Sequence, residues 1–116
     1  MATVISIDNF RTSAPFEDYG ITKDDYLPID TVLDTNIMVS AVEIFNNEKG
    51  EGAYILASAG AVKAGEPFYI CTHAIGLVNT LDKPALLQAL SEGNTITCRI
   101  TKRKSKTSDR QVYAFA

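Results

Sequence analysis

The segment Thr95-Ile96-Thr97-Cys98-Arg99-Ile100-Thr101 alternates without a break, apolar at even positions and polar at odd ones. A period of two marks a strand with one dry and one wet face, so Ile96, Cys98 and Ile100 are expected to point inward. A second β-rich run, Gln111-Val112-Tyr113-Ala114-Phe115, is joined to it by the stretch Lys102–Arg110, which contains the turn formers Ser105, Thr107, Ser108 and Asp109. Together they read as a hairpin. Three more β-rich runs lie upstream. Residues 37–45 end at Asn46-Asn47 with Gly50 and Gly52, residues 53–59 end at Gly60, and residues 68–72 are introduced by Gly65 and Pro67.

One segment predicts a helix. Asp82 is placed to cap it, Pro84 suits its first turn, and Leu86, Leu87 and Leu90 supply one apolar face. Gly93 stands where a left-handed C-terminal residue belongs. Residues 74–81 suggest a shorter helix or a turn ahead of it, weakened by Gly76. From residue 37 the order is thus strand, strand, strand, helix, strand, strand, the element order of an OB-fold. The expected fold is all-β with a small α contribution: a five-stranded OB-like barrel with a helix between strands 3 and 4. An SH3-like barrel has a similar strand count, whereas a ferredoxin-like or β-grasp chain would need an earlier helix.

At 116 residues the chain has room for one core, not for a dinucleotide domain plus a substrate domain or a (β/α)8 barrel. A single domain over 1–116 is expected, with the barrel at 37–116 and an N-terminal extension at 1–36. Within that extension residues 4–10 read as an extra strand and residues 11–36 as an irregular acidic arm. No apolar run nears the ~20 residues of a membrane span, and the first residues lack the basic start of a secretory signal. Cys71 and Cys98, far apart among apolar neighbours, read as reduced thiols of a cytoplasmic protein.

The formal net charge of −3 argues against a nucleic-acid partner only as an average. Residues 1–36 hold seven acids against Arg11 and Lys23, and residues 37–93 hold six acids against three bases. Residues 94–116 carry Arg99, Lys102, Arg103, Lys104, Lys106 and Arg110 against Asp109 alone. On an OB-fold these cations fall on or beside the hairpin joining strands 4 and 5, one of the loops that border a nucleic-acid groove. A flexible basic hairpin can follow phosphates without reading sequence. The bland alternative is a solvated hairpin whose charges only protect an edge.

Single strands also need flat faces for their bases. Candidates are Phe45, Tyr54, Phe68, Tyr69, Tyr113 and Phe115, with Tyr54, Tyr69 and Tyr113 favoured because a hydroxyl suits a half-wet position. Register decides the case of Tyr113. If odd residues of the terminal hairpin pair with odd ones, Tyr113 and Phe115 join Arg99 and Arg103 outside; if odd pairs with even, they fall beside Ile100 on the core side.

The span 37–115, above all Glu66-Pro67-Phe68-Tyr69-Ile70-Cys71-Thr72 and Thr95-Ile96-Thr97-Cys98-Arg99-Ile100-Thr101-Lys102-Arg103-Lys104, resembles small OB-fold single-stranded DNA-binding proteins of the bacteriophage type. The resemblance is one of element order and covers about two-thirds of the chain. It implies a non-enzymatic protein that coats exposed single strands in DNA replication or recombination. It further implies a homodimer or higher homo-oligomer in the cytoplasm (the host's, if phage-encoded), without a cofactor, and with replication or recombination proteins as candidate partners. Bacterial members end in an acidic, Gly/Pro-rich tail that recruits partner enzymes. Here the sequence reaches Ala114-Phe115-Ala116 on a β-rich run, so recruitment through such a tail is not expected.

The acidic arm has two readings: a loop pinned by Phe16, Tyr19, Tyr26 and Leu27, or a segment that docks on another subunit or covers the basic groove until DNA displaces it. Catalytic readings find little. Glu17-Asp18 and Asp24-Asp25 are paired carboxylates in a polar stretch, Asp30 and Asp34 lack the calcium-loop spacing, and Gly60 and Gly65 lack the Gly-Lys-Ser/Thr ending of a phosphate loop. His73 is the only histidine and no Cys-x-x-Cys occurs, so no metal site is expected. The competing class is a structural or assembly barrel, such as a virion component, using its terminal hairpin for protein contacts. RNA is a third candidate ligand.

Overall fold

The structure is a computed structural model that describes residues 16–105 and 110–116. Five strands, β1 (Asn36–Asn47), β2 (Gly50–Ser58), β3 (Phe68–Thr72), β4 (Ile96–Lys104) and β5 (Gln111–Phe115), form one antiparallel sheet. Their order is β3-β2-β1-β4-β5, and the sheet curls into a half-barrel. Two helices, α1 (Ile75–Leu81) and α2 (Pro84–Ser91), lie between β3 and β4 in sequence. This is the mostly-β, OB-like architecture that the element order predicts. The extra strand expected at 4–10 lies outside the described residues.

A bulge in β1 organises both faces of the sheet. Met38 pairs with Ser58 and Val39 with Ala57, but the next partner of β2, Leu56, faces Ala41, leaving Ser40 as the extra residue. One extra residue reverses the side-chain parity downstream of it. Before the bulge Ile37 and Val39 point inward; after it Val42 and Ile44 do, and Ala41, Glu43 and Phe45 turn outward. The sequence carries this signal as a shift of apolar positions from odd to even. The inner face closes over Phe68, Ile55, Ile70, Ile100 and Leu77, all fully buried.

The helices depart in detail from expectation. Residues 74–81 do form a helix, burying Leu77, Val78 and Leu81. Gly76 is tolerated because a Cβ there would lie 3.3 Å from the Tyr113 carbonyl, so the helix can approach β5 closely. Asp82 therefore closes α1 instead of capping α2: its N–H donates to the Val78 carbonyl. Lys83 precedes α2, which starts on Pro84 without a side-chain cap. Gly93 follows α2 at φ 88°, as the sequence predicts. Leu86 and Leu90 pack on the core only partly, leaving an apolar groove of about 180 Å³ lined by Val39, Leu81, Leu86, Ile96 and Cys98 among others. Burial in that setting pushes the Cys98 thiol up to about 11.

The N-terminal arm divides in two. Residues 27–34 belong to the core: Val32 is fully buried, the Leu27 N–H donates to the Tyr69 carbonyl at 3.0 Å, and the Asp34 N–H donates to the Ile100 carbonyl at 2.8 Å. This stretch thus runs from the edge strand β3 to β4. Asp34 takes φ 58°, a left-handed conformation that aspartate tolerates, so its place in the fold is that of a turn residue. Residues 16–26 instead lie on the outer face of the sheet.

Candidate nucleic-acid interface

After the bulge, the outer face of β1, β2 and β3 presents a run of rings. Phe45 on β1 stacks on Tyr54 of β2, with centroids 4.6 Å apart and planes inclined by 29°. Tyr54 meets Tyr69 of β3 edge to face at 6.3 Å. At one end His73 packs edge-on against Phe45 at 5.2 Å; at the other, Tyr26 of the arm lies 5.3 Å from Tyr69. The row His73–Phe45–Tyr54–Tyr69–Tyr26 crosses three strands. Strand pairing creates it, because Tyr54 opposes Glu43 and Cys71 while Leu56 opposes Tyr69, all on one face.

Gly52 makes room for the Phe45 ring. A Cβ at that position would stand 2.5 Å from Phe45 Cζ and 2.9 Å from His73 Nδ1, so any side chain would displace both rings. His73 Nδ1 also lies 3.3 Å from the Glu51 carbonyl and, as the donor in that contact, carries the hydrogen. Phe45 and Tyr54 are half-buried, whereas Tyr69 is 6% exposed under the arm. Burial raises both the Tyr54 and the Tyr69 phenols above the ordinary range.

Tyr113 is not in this row. Ile100 pairs with Phe115, Lys102 with Tyr113 and Lys104 with Gln111, so odd residues pair with even ones. Tyr113 and Phe115 therefore share the face of Ile100 and pack partly against the core. The expectation that Tyr113 offers an outward stacking face is corrected by this register. Its hydroxyl donates to Asp30 Oδ1 at 2.8 Å, and Lys102 Nζ reaches the same oxygen at 3.1 Å while lying 5.3 Å from the Tyr113 ring centroid. Lys102 and Tyr113 thus fasten the arm to the hairpin.

That tie is pH-dependent. The Tyr113 hydrogen bond, then that of Lys102, holds the Asp30 carboxyl below its ordinary 3.8. A carboxylate with a depressed folded-state pKa adds stability above its ordinary pKa, and the contribution disappears as pH falls through the lower folded value. The native chain is expected to melt higher than Asp30→Asn at about pH 6, with the gap closing as pH falls below 3.8, the ordinary value. Thermal melts across that range test this.

The remaining cations are distributed along β4 and its hairpin. The loop expected at 102–110 is shorter than the sequence suggests, since Lys102, Arg103 and Lys104 are paired residues of β4. Arg99 donates through Nε to Asn36 Oδ1 at 3.0 Å. Arg103 and Arg110 are exposed, and Lys106 lies outside the described residues. Because β4 runs antiparallel to β1 from Val39 past Asn36, the basic hairpin extends beyond the start of β1. The β1–β2 turn closes the other end of β1. The ringed outer face lies between the two.

Of the residues singled out from sequence, Tyr54 and Tyr69 come together, Tyr113 joins the arm tie, and Arg99 and Lys102 are engaged by Asn36 and Asp30. His73 is the member that sequence reasoning passes over, as an ordinary residue after β3. The position of Gly52 in β2, where a bare backbone makes room for rings, is the signal that points to it. Among the described residues, no cluster of three or more His, Cys, Asp or Glu side chains could hold a metal ion, and no helix is long and apolar enough to cross a membrane.

No family model, curated protein or solved structure matches this chain.

Proposed function

We propose that this chain binds single-stranded DNA without sequence specificity and coats it during replication or recombination. The observation that carries the reading is the open set of rings His73, Phe45 and Tyr54 on the outer face of β1 and β2, which Tyr69 of β3 continues beneath the arm. Rings set across neighbouring strands offer successive π-faces, which any base can use, and the strands 2–3 face is where OB-folds take oligonucleotides. The basic hairpin supplies phosphate contacts at one end of that face. Duplex DNA is the poorer ligand, because its bases are already stacked on each other.

The reading is tested with oligo-dT and a duplex of equal length at two salt concentrations. Oligo-dT is expected to bind preferentially and to weaken with salt. If about four of Arg99, Lys102, Arg103, Lys104, Lys106 and Arg110 neutralise phosphates, the slope of log K against log salt is about −3, from ~0.7 per phosphate. Absence of binding to either DNA, or affinity independent of salt, overturns the reading.

A further inference from the structure

Tyr69, the ring between Tyr54 and Tyr26 in the row, is shut off from solvent by residues 16–26, which lie outside the main core. Phe16 and Ile21 are 8% and 6% exposed, and they pack with Ala41, Leu56 and Tyr69 in a cluster separate from the main core. Tyr26 adds its ring over Tyr69. Residues 16–26 carry Glu17, Asp18, Asp24 and Asp25 against Lys23 alone. A segment with the charge sign of a phosphate backbone thus occupies the face on which a strand's bases would stack.

We propose that Tyr69, Leu56 and Ala41 form a second nucleobase subsite, closed by residues 16–26, and that single-stranded DNA displaces this segment to occupy it. The proposal rests on the single-strand-binding reading above and specifies how its site opens. Three features suit the segment to leaving. Beside the packing of Phe16, Ile21 and Tyr26, its polar ties to the barrel among the described residues are an ion pair between Asp25 and Lys63 at 3.0 Å, a β-bridge between Tyr26 and Tyr69, and the adjoining Leu27 N–H bond to the Tyr69 carbonyl. Its other hydrogen bonds are internal, among them Tyr19 N–H to the Phe16 carbonyl and the mutual capping of Thr22 and Asp25. Phe16 is held at φ 63°, a strained conformation for a bulky residue that release would relieve.

The subsite that appears is apolar around one ring, the chemistry that takes a base face. Residues 27–34 stay in place when the segment leaves, since Val32 is inside the main core and Asp34 is bonded to Ile100. The open end of the row, Phe45 with Tyr54 and His73, is available beforehand and gives the strand its first hold. Displacement then lengthens the occupied face by one ring and replaces four carboxylates with phosphates running toward Lys63.

The test compares the full chain with the double variant Phe16→Ser with Ile21→Ser, using fluorescent oligo-dT. The released variant is expected to bind on the order of tenfold tighter, because a closed population no longer taxes affinity. Adding Tyr69→Ala to it is expected to remove that gain. In the native chain, amide exchange over residues 16–26 is expected to speed up when oligo-dT is added. Equal or weaker affinity in a folded released variant overturns the proposal while leaving single-strand binding intact. Should the variant fail to fold, undiminished protection of 16–26 in the native complex overturns it equally. If neither chain binds oligo-dT, the functional reading itself falls.

Discussion

Phe68→Ala is expected to destabilise the chain by about 3–5 kcal/mol, the usual cost of emptying a buried phenylalanine site. Phe68 is the largest fully buried side chain and opposes Ala57 in the β2–β3 pair, on the inner face with Ile55 and Ile70. Alanine partners cannot extend to fill the void, so most of the cavity would persist and its cost with it. A domain of this size has about 5–15 kcal/mol of stability in total, so the loss takes a large share. Urea titration followed by circular dichroism measures it as a lowered midpoint at unchanged slope. A loss below about 1 kcal/mol would mean that the site collapses around the alanine, and that the half-barrel is looser than its burial indicates.

Phe68 and Tyr69 are neighbours in sequence with opposite fates, and this contrast shows what the sequence could and could not convey. Strand parity makes one inward and one outward, which is readable from the β-rich run alone. What covers the outward one is not, because its cover comes from residues 16–26, where Phe16 and Ile21 are isolated in a polar stretch with no period. Such a segment looks irregular because its order comes from two single turns, Glu17–Tyr19 and Lys23–Asp25, too short to show a hydrophobic period. Long-range ties are hidden in the same way: Asp30 and Tyr113 meet across 83 residues of sequence.

Register is the other gap. The strict alternation of 95–101 identifies β4 and its inward residues, and the structure agrees at Ile100, which is fully buried. The pairing of that strand with β5 depends on the turn between them, and two registers fit the sequence equally. The observed one pairs Lys102 with Tyr113 and so removes Tyr113 from the outward set. In β1 the bulge at Ser40 does the reverse, carrying Phe45 outward although Ile37 and Val39, of the same parity, point in. One irregularity thus took a ring out of the candidate interface and another brought one in. Charge shows a similar pattern. The excess of bases in 94–116 is plain in sequence, but Lys102 and Arg99 are engaged by Asp30 and Asn36, so the count of cations overstates what is ready for phosphate.

Tyr54→Ala is expected to weaken oligo-dT binding by about 1–3 kcal/mol, roughly 5- to 150-fold, with the far-UV spectrum unchanged. Tyr54 stands at the centre of the five-ring row and at the inner end of its open part, stacked on Phe45 and edge-on to Tyr69, and is half-buried on the outer face. Removing it takes away one stacking surface and the ring that Phe45 stacks on, so the loss should exceed that from an isolated exposed ring. Phe45→Ala is the companion measurement, and Phe45→Ala with Tyr54→Ala closes a double-mutant cycle. Because the two rings touch, the losses should fall short of additive: with either ring gone, the other no longer presents a fixed face. Tyr113→Ala is the control on the opposite side of the sheet. It should lower thermal stability through the lost Asp30 bond and leave oligo-dT affinity close to native. The reverse outcome, a binding loss at Tyr113 and none at Tyr54, would move the strand off the β1–β3 face and onto the terminal hairpin alone.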